Sequence, residues 1–494
     1  MEFIDPEQKR KKARRLKIGY SLLTVLVGLA TYILVATAMG FEVIQRDGRV
    51  IQNGIVFLDS KPVSVDVFIN GVKEDNKTDT RLVLAEGEYE VVFKANGYKD
   101  WTKKILLNGG TVQSLTYPRL FPENLKSTDL KTYESSNSGL YNQSPNNRWI
   151  IFQPNKNTAK FNIIDTTKPN NAQQELDIPP AILGSPDAKV GVLEIVEWAN
   201  DNRHILIKHT IDNTPPIFII LDKDDLAKSI NLNTLFNIQP SKVSLLGGKL
   251  DKAYIYLASG GILKIGDIKT KILSNQLYDQ VLDFKQINEE RLMYVTTKNS
   301  TSGKVVVNAT NKENEFLIGE TEFDPSSKYY LGAGEYSGDW YYVIGSSLSE
   351  KVHIYRNPQN FVASEVDNTP NILTTLRSGL PLYVSFSPGK RFIISQSDKL
   401  FTVYDVVEKK SYKTPINKPL DSGTTFSWVD EYILQYSQGG ELNFIEFDGE
   451  NARKLISVQP PFKGYIDGSF SRLYTMRSNN GAVTSQLTTL TVGD

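Results

Sequence analysis

The chain of 494 residues contains no cysteine. Disulfides, cysteine-ligated zinc, iron–sulfur clusters, thiol nucleophiles and a lipid-modified N-terminal cysteine are therefore excluded. An exported bacterial protein can dispense with cysteine, so the absence is compatible with life outside the cytoplasm. Histidine is scarce as well, with His204, His209 and His353 the full complement. A zinc site needs about three converging ligands. His204 and His209 stand five apart with no acid at ligand spacing between them, so no metal ligand is assigned. Net charge is also missing: 56 basic residues balance 56 acidic ones. A nucleic-acid partner usually leaves a basic excess, and none is expected here. There is no G-x-S-x-G nucleophile elbow, phosphate loop or dinucleotide fingerprint. The expectation is a protein that is not an enzyme, with no catalytic, cofactor-binding or metal residues and no cofactor.

What charge asymmetry exists is local. Residues 1–17 hold Lys9, Arg10, Lys11, Lys12, Arg14, Arg15 and Lys17 against Glu2, Asp5 and Glu7. Directly after this cluster, residues 18–41 read IGYSLLTVLVGLATYILVATAMGF without a charge. A hydrocarbon core of about 30 Å needs roughly 20 helical residues, so the run is long enough to span. The basic cluster precedes it, whereas Glu42, Arg46, Asp47 and Arg49 behind it are mixed in sign. The positive-inside rule then places residues 1–17 in the cytoplasm and the bulk of the chain outside. Ala36-Thr37-Ala38 resembles a signal-peptidase site. A signal h-region is only about 7–15 residues long, however, and an uncleaved single-pass signal-anchor is the reading taken. The expected location is the cell membrane, with residues 18–41 in contact with the lipid bilayer.

Beyond a polar linker at 42–53 the pattern alternates with period two, as a half-buried strand requires. Val63–Ile69 alternates and is followed by Asn70-Gly71, whose tolerance of positive φ suits a two-residue hairpin turn. Glu86-Gly87 and Asn96-Gly97 mark two further turns, and strands are expected at 89–93, 102–107 and 111–117. Residues 54–120 thus read as a small β-sandwich. Ser60-Lys61-Pro62, Val65-x-Val67-x-Ile69-Asn70-Gly71, Leu84-x-x-Gly87-x-Tyr89-x-Val91 and Gly97-Tyr98 resemble the PEGA domain, a surface-associated unit of bacterial and archaeal envelope proteins. The family's usual Gly-x-Thr-Pro is replaced here by Lys77-Thr78-Asp79-Thr80. The resemblance implies a prokaryotic source. The sequons at Asn76, Asn142, Asn299 and Asn308 would matter only in a glycosylating secretory pathway.

From 126 to 494 the chain repeats. Gln143–Phe152, Trp198–Ile207 and Phe386–Ser395 align without gaps: an apolar or bulky entry, a polar turn, a basic residue, then a strand. Each is followed by a second strand ending in Asp165, Asp222 or Asp405. Trp428–Leu434 is a shortened copy, and weaker strand pairs begin near Ala253, Arg291, Trp340 and Arg472. Eight units at a period of about 46 residues fit four strands per propeller blade. The fold expected is mainly β: an N-terminal transmembrane helix, a PEGA-like β-sandwich and a β-propeller of eight blades, seven being the alternative because the middle units are weak. The last unit stops after three strands, and residues 126–134 supply the fourth. The Ser-Pro turn and Asp-ended strand resemble the TolB-type repeat. The repeated aspartates are read as turn-forming and the tryptophans as filling between blades.

These features imply a membrane-anchored extracytoplasmic binding or scaffold protein of the cell envelope, with the propeller as recognition surface. An envelope protein or a surface polymer is the expected partner. The alternative is an extracytoplasmic hydrolase or lyase that uses carboxylates on one propeller face against an envelope polymer.

Overall fold

The computed structural model describes residues 6–43, 50–134, 137–184, 190–212, 214–312, 314–362, 369–479 and 481–492. Residues 1–5 of the basic tail and 44–49 of the linker, Arg46, Asp47 and Arg49 among them, lie outside the described residues. The chain divides into two compact units at Asn124 and Leu125.

The first unit opens with the helix Pro6–Ala38. Proline suits a first helical turn because its missing N–H has no partner to lose there. Apolar side chains cover every face, with Leu22, Val25, Leu26, Tyr32 and Leu34 all well exposed. A helix that is apolar all round belongs either in a core or in a bilayer, and none of its most apolar stretch is buried in the protein. The hydroxyls of Thr24, Thr31 and Thr37 donate to the carbonyls of Tyr20, Val27 and Ile33 four residues earlier. That leaves none of these threonine hydroxyls needing water, as a hydrocarbon setting demands. The helix stops three residues short of the end of the uncharged run. Gly40, at φ +83°, turns the chain, and Phe41–Val43 becomes a strand paired with residues 50–52.

Two four-stranded sheets follow. One joins Phe41–Val43, Val50–Leu58 and Thr80–Ala85, with Val112–Leu115 running parallel to the second of these. The other orders Val72–Lys73, Asp66–Ile69, Gly87–Lys94 and Trp101–Leu107. Asn70 and Gly71 both take positive φ, as a tight hairpin requires. Glu86-Gly87 is different from the hairpin turn expected. The strands before and after it belong to different sheets, so the chain crosses the sandwich there. The Tyr89 hydroxyl donates to the Ala85 carbonyl at 2.8 Å and fixes this crossing. Val56, Val67, Val91, Phe93 and Trp101 are fully buried between the sheets, and Trp101 stacks on Phe93 at 5.1 Å. Side chains of this size each contribute about 1.5–3 kcal/mol when buried.

Among the described residues the second unit forms eight four-stranded antiparallel sheets. In chain order, blades 1 to 7 occupy 141–177, 192–231, 242–273, 281–322, 329–377, 383–415 and 427–457. Blade 8 combines 465–489 with 126–133. Eight is thus the blade number, and each arginine-to-strand segment seen in sequence is the second strand of a blade. In the last blade the third strand is Ala482–Thr489. First strands lie against one another between blades 2 and 3, 4 and 5, and 5 and 6, along the inner edge of the ring.

Every blade packs on the next. Shared apolar clusters join blades 1 with 2, 2 with 3, 3 with 4, 4 with 5 and 5 with 6. Phe392 stacks on Phe447 at 4.2 Å between blades 6 and 7. The Gln435 side-chain amide exchanges hydrogen bonds with the Gly464 backbone between blades 7 and 8. The ring closes where blade 8 meets blade 1: Tyr141 packs edge-on against Tyr465 at 4.7 Å, and the Tyr465 hydroxyl donates to the Tyr141 carbonyl at 2.9 Å. Gly332 and Gly334 on the inner strand of blade 5 permit a close approach to blade 6. A Cβ at Gly334 would meet the Lys390 side chain at 2.9 Å.

Candidate functional site

The repeated arginines and aspartates form one structural device. Arg148, Arg203 and Arg391 precede second strands, and Asp165, Asp222 and Asp405 end third strands, so strand pairing sets each pair side by side. Arg203 grips Asp222 with Nε and Nη2 at 2.7 and 2.5 Å, and Arg391 holds Asp405 at 3.0 and 2.7 Å. The same acids also accept backbone N–H groups of the following turn, from Asp224 and Asp225 and from Val407 and Glu408. Burial works against the charge of Asp222, but Arg203 and the two backbone donors outweigh it and bring its pKa down to about 2. The segment Asp222-Lys-Asp-Asp225 is accordingly a cross-linked turn. Its Lys223 ammonium bonds Asp224 at 2.6 Å and lies 4.0 Å above the Trp149 ring.

The three histidines do not converge. His209 is buried; its Nε2 accepts from the Gly191 N–H at 3.0 Å, so Nδ1 carries the proton toward the Leu183 carbonyl, also 3.0 Å away. Burial keeps this ring neutral by lowering its pKa. His204, on the same strand, bonds Asp201, and His353 in blade 5 bonds Thr375. Among the described residues no three His, Asp or Glu side chains gather as a metal would require. The tryptophans fill blade junctions: Trp198 reaches Asn142 of blade 1 at 3.0 Å, and Trp428 stacks on Phe392.

The central channel offers more chemistry. At the end where first strands begin, a cavity of about 170 Å³ opens between blades 6, 7 and 8. Tyr383 and Ser427 on first strands, Tyr436 and Ser437 on a second strand, Thr425 and Lys463 line it. The Lys463 side chain is exposed at the cavity's rim, and the protein atoms crowded around it lower its pKa. Its ammonium sits 5.4 Å from the Tyr465 ring centre. The Ser427 hydroxyl is buried with no hydrogen-bond partner among the described residues. Nearer the other end, Lys285 in blade 4 and Lys390 in the turn after the first strand of blade 6 also have lowered pKa values, each chiefly from burial. Lys390 adds to the effect on Lys285.

The acids near Lys285 and Lys390 are already engaged. Asp283 accepts from Lys242 at 2.7 Å, and Glu431 from Ser387 and the backbone of Gly389 and Arg391. In blade 2, Glu197 accepts from the Leu245 N–H. No sequence motif announces the cavity, because three blades contribute its residues at separations of about one repeat.

No curated protein matches the chain. Among solved structures, an oligogalacturonate lyase in complex with manganese is similar over 74% of this chain and 98% of its own, at 8% identity and a TM-score of 0.40. The Myceliophteria thermophila Cps50 (Swd1) β-propeller domain aligns over 74% and 100% at 11% identity and 0.36. Kluyveromyces lactis Hsv2p aligns over 66% and 100% at 11% and 0.41. Likenesses this distant carry no argument, and the propeller rests on strand order and closure. The sandwich is matched directly: residues 53–120, which include the Asn70-Gly71 hairpin, the Glu86-Gly87 crossing and the buried Trp101, match the PEGA domain family.

Proposed function

We propose that this is a membrane-anchored extracytoplasmic binding or scaffold protein of the cell envelope, with the propeller as its recognition surface. The observation that carries the reading is the helix Pro6–Ala38, whose apolar side chains face outward on all sides with no protein to cover them. The adjoining PEGA domain supports an extracytoplasmic position for the sandwich and the propeller. The basic cluster at 9–17 supports a cytoplasmic tail. The partner is another envelope protein or a surface polymer. Binding is favoured over hydrolysis or lysis, since carboxylate catalysis needs a free acid and base near the bond cleaved, and the channel acids named above already hold lysines or backbone groups.

The test is fractionation of cells expressing the full chain and a variant lacking residues 6–38. The full chain is expected in the membrane pellet, resistant to alkaline extraction, and the shortened chain in the soluble fraction. Release from the full chain of a soluble fragment beginning near residue 39 would show a cleaved signal and overturn the anchor.

A further inference from the structure

We propose that the sandwich lies against the bilayer on the outer face of the sheet that contains Val50–Leu58, so that a lipid surface is the partner of this face. The inference rests on the membrane-anchor reading and goes beyond it, since a tether alone fixes no orientation. In a sandwich the inward positions of each strand build the core, and the outward positions are polar where they meet water. The sheet of Gly87–Lys94 and Trp101–Leu107 follows that rule, with Glu88, Glu90, Lys94 and Lys104 exposed on its outer face. The sheet of Val50–Leu58 does not. Strand register sets Val83, Ile55 and Val112 in one row across three strands, and Phe57 follows two residues along. Val83 and Val112 are 60% and 63% exposed, Phe57 is exposed beyond them, and Ile55 is half-buried between them. A contiguous apolar patch of this kind marks a contact surface.

The bilayer is the occupant because the patch begins where the anchor ends. The Asn53 N–H donates to the Gly40 carbonyl at 2.7 Å, and the Gln52 side chain donates to the Met39 carbonyl at 3.0 Å. The helix end is thus held directly on the strand that carries Ile55 and Phe57. Two residues of strand span about 7 Å, which puts the Val83–Ile55–Val112 row about 7 Å and Phe57 about 14 Å from that junction. Apolar faces that rest on membranes sink about 5–10 Å into the headgroup boundary. Only a sheet tilted onto this face brings both levels to that depth. Charge falls in the matching order along the strands. The wholly apolar row comes first, then Phe57 between Arg81 and Ser114, and then the acids Asp59 and Asp79 just past the Leu58–Thr80 pair. An arginine placed so can reach lipid phosphate while its stem covers apolar surface, and the acids stay farthest from the anchor.

Single cysteines carrying an environment-sensitive fluorophore test this in the full chain, placed one copy per nanodisc of phosphatidylcholine and phosphatidylglycerol with a nitroxide-labelled lipid. A nitroxide near the headgroups is expected to quench Val83→Cys and Val112→Cys about threefold more strongly than Lys104→Cys on the opposite face. Adding Phe57→Ser and Val83→Ser is expected to halve the quenching at Val112→Cys, with melting unchanged. Quenching at Val83→Cys and Val112→Cys no stronger than at Lys104→Cys would overturn the proposal. So would shielding of these positions only in nanodiscs that hold two copies, the mark of a chain-to-chain contact. Leu26→Cys, within the helix, separates this result from the anchor: a nitroxide deep in the acyl region is expected to quench it wherever the sandwich lies. Its escape from that quenching would overturn the anchor itself.

Discussion

Deleting residues 126–133 is expected to abolish cooperative unfolding of the propeller. These residues are the outer strand of blade 8 and precede every other blade in the chain, so they clasp the ring's beginning to its end. Register pairs run from Thr489 with Lys126 to Val483 with Tyr133. Side chains reinforce the ladder: Ser127 with Thr488 at 2.9 Å, Thr132 with Thr484 at 3.1 Å, and Arg477 with Asp129 at 2.6 Å. Tyr133 is buried with Phe152 of blade 1, with Tyr465 of blade 8 and with Phe462 just before it, so one residue ties the clasp to both sides of the seam. Each backbone hydrogen bond contributes about 0.5–1.5 kcal/mol net, and truncating a buried ring costs about 3–5 kcal/mol. Together these rival the 5–15 kcal/mol that stabilises a typical domain. The deletion also bares the edge of Ala482–Thr489, which invites aggregation. Thermal denaturation followed by circular dichroism checks this: a broad, early or absent transition is expected. Tyr133→Ala alone is expected to lower stability by about 3–5 kcal/mol. A deletion variant that melts like the intact protein would show that the ring is not closed by this strand.

The second large effect is expected at Asp405. Its side chain is 0% exposed and that of its partner Arg391 is 23% exposed. Asp405→Ala leaves a mostly buried guanidinium without its anion and also strips the N–H groups of Val407 and Glu408 of their acceptor. Removing one member of a buried pair costs about 3–5 kcal/mol. The equivalent change at Asp165, whose partner Arg148 is 43% exposed, removes a pair that water partly screens, together with the acceptor of the exposed Thr167 N–H and hydroxyl, which water can replace. That loss is expected near the 0–1 kcal/mol typical of surface pairs. Asp222→Ala falls between them, with a buried acid and a half-exposed arginine. Urea denaturation of the three variants gives the ranking; equal costs at all three sites would mean that the aspartates act through their turns alone.

These pairs also explain how much of the fold is legible in the sequence. Arginine before the second strand and aspartate at the end of the third recur because strand pairing sets them opposite one another. That constraint is local, so it survives in the sequence as a spacing. Closure by residues 126–134 is legible for a related reason, since a final unit one strand short needs a partner. Glu86-Gly87 misleads. A glycine beside an acid signals a change of direction, but whether the chain returns to the same sheet or crosses to the other depends on contacts such as Tyr89 to Ala85. The end of the helix is displaced because hydropathy reports Phe41 as apolar without showing that Gly40 has turned the backbone. The cavity at Lys463 leaves no trace in sequence: Tyr383, Ser427 and Lys463 come together only through the rotation from blade to blade.

The missing cysteines open the most direct test of a tethered, exported propeller. Any cysteine introduced into this chain is its only thiol, so Lys9→Cys in the tail and Glu350→Cys on an exposed propeller loop can be labelled one at a time. Intact cells expressing each variant are treated with a membrane-impermeant maleimide, before and after permeabilisation. The tethered arrangement predicts that the Glu350→Cys variant reacts in intact cells, whereas the Lys9→Cys variant reacts only once the membrane is opened. Labelling of the Lys9→Cys variant in intact cells, or protection of the Glu350→Cys variant until permeabilisation, would contradict it.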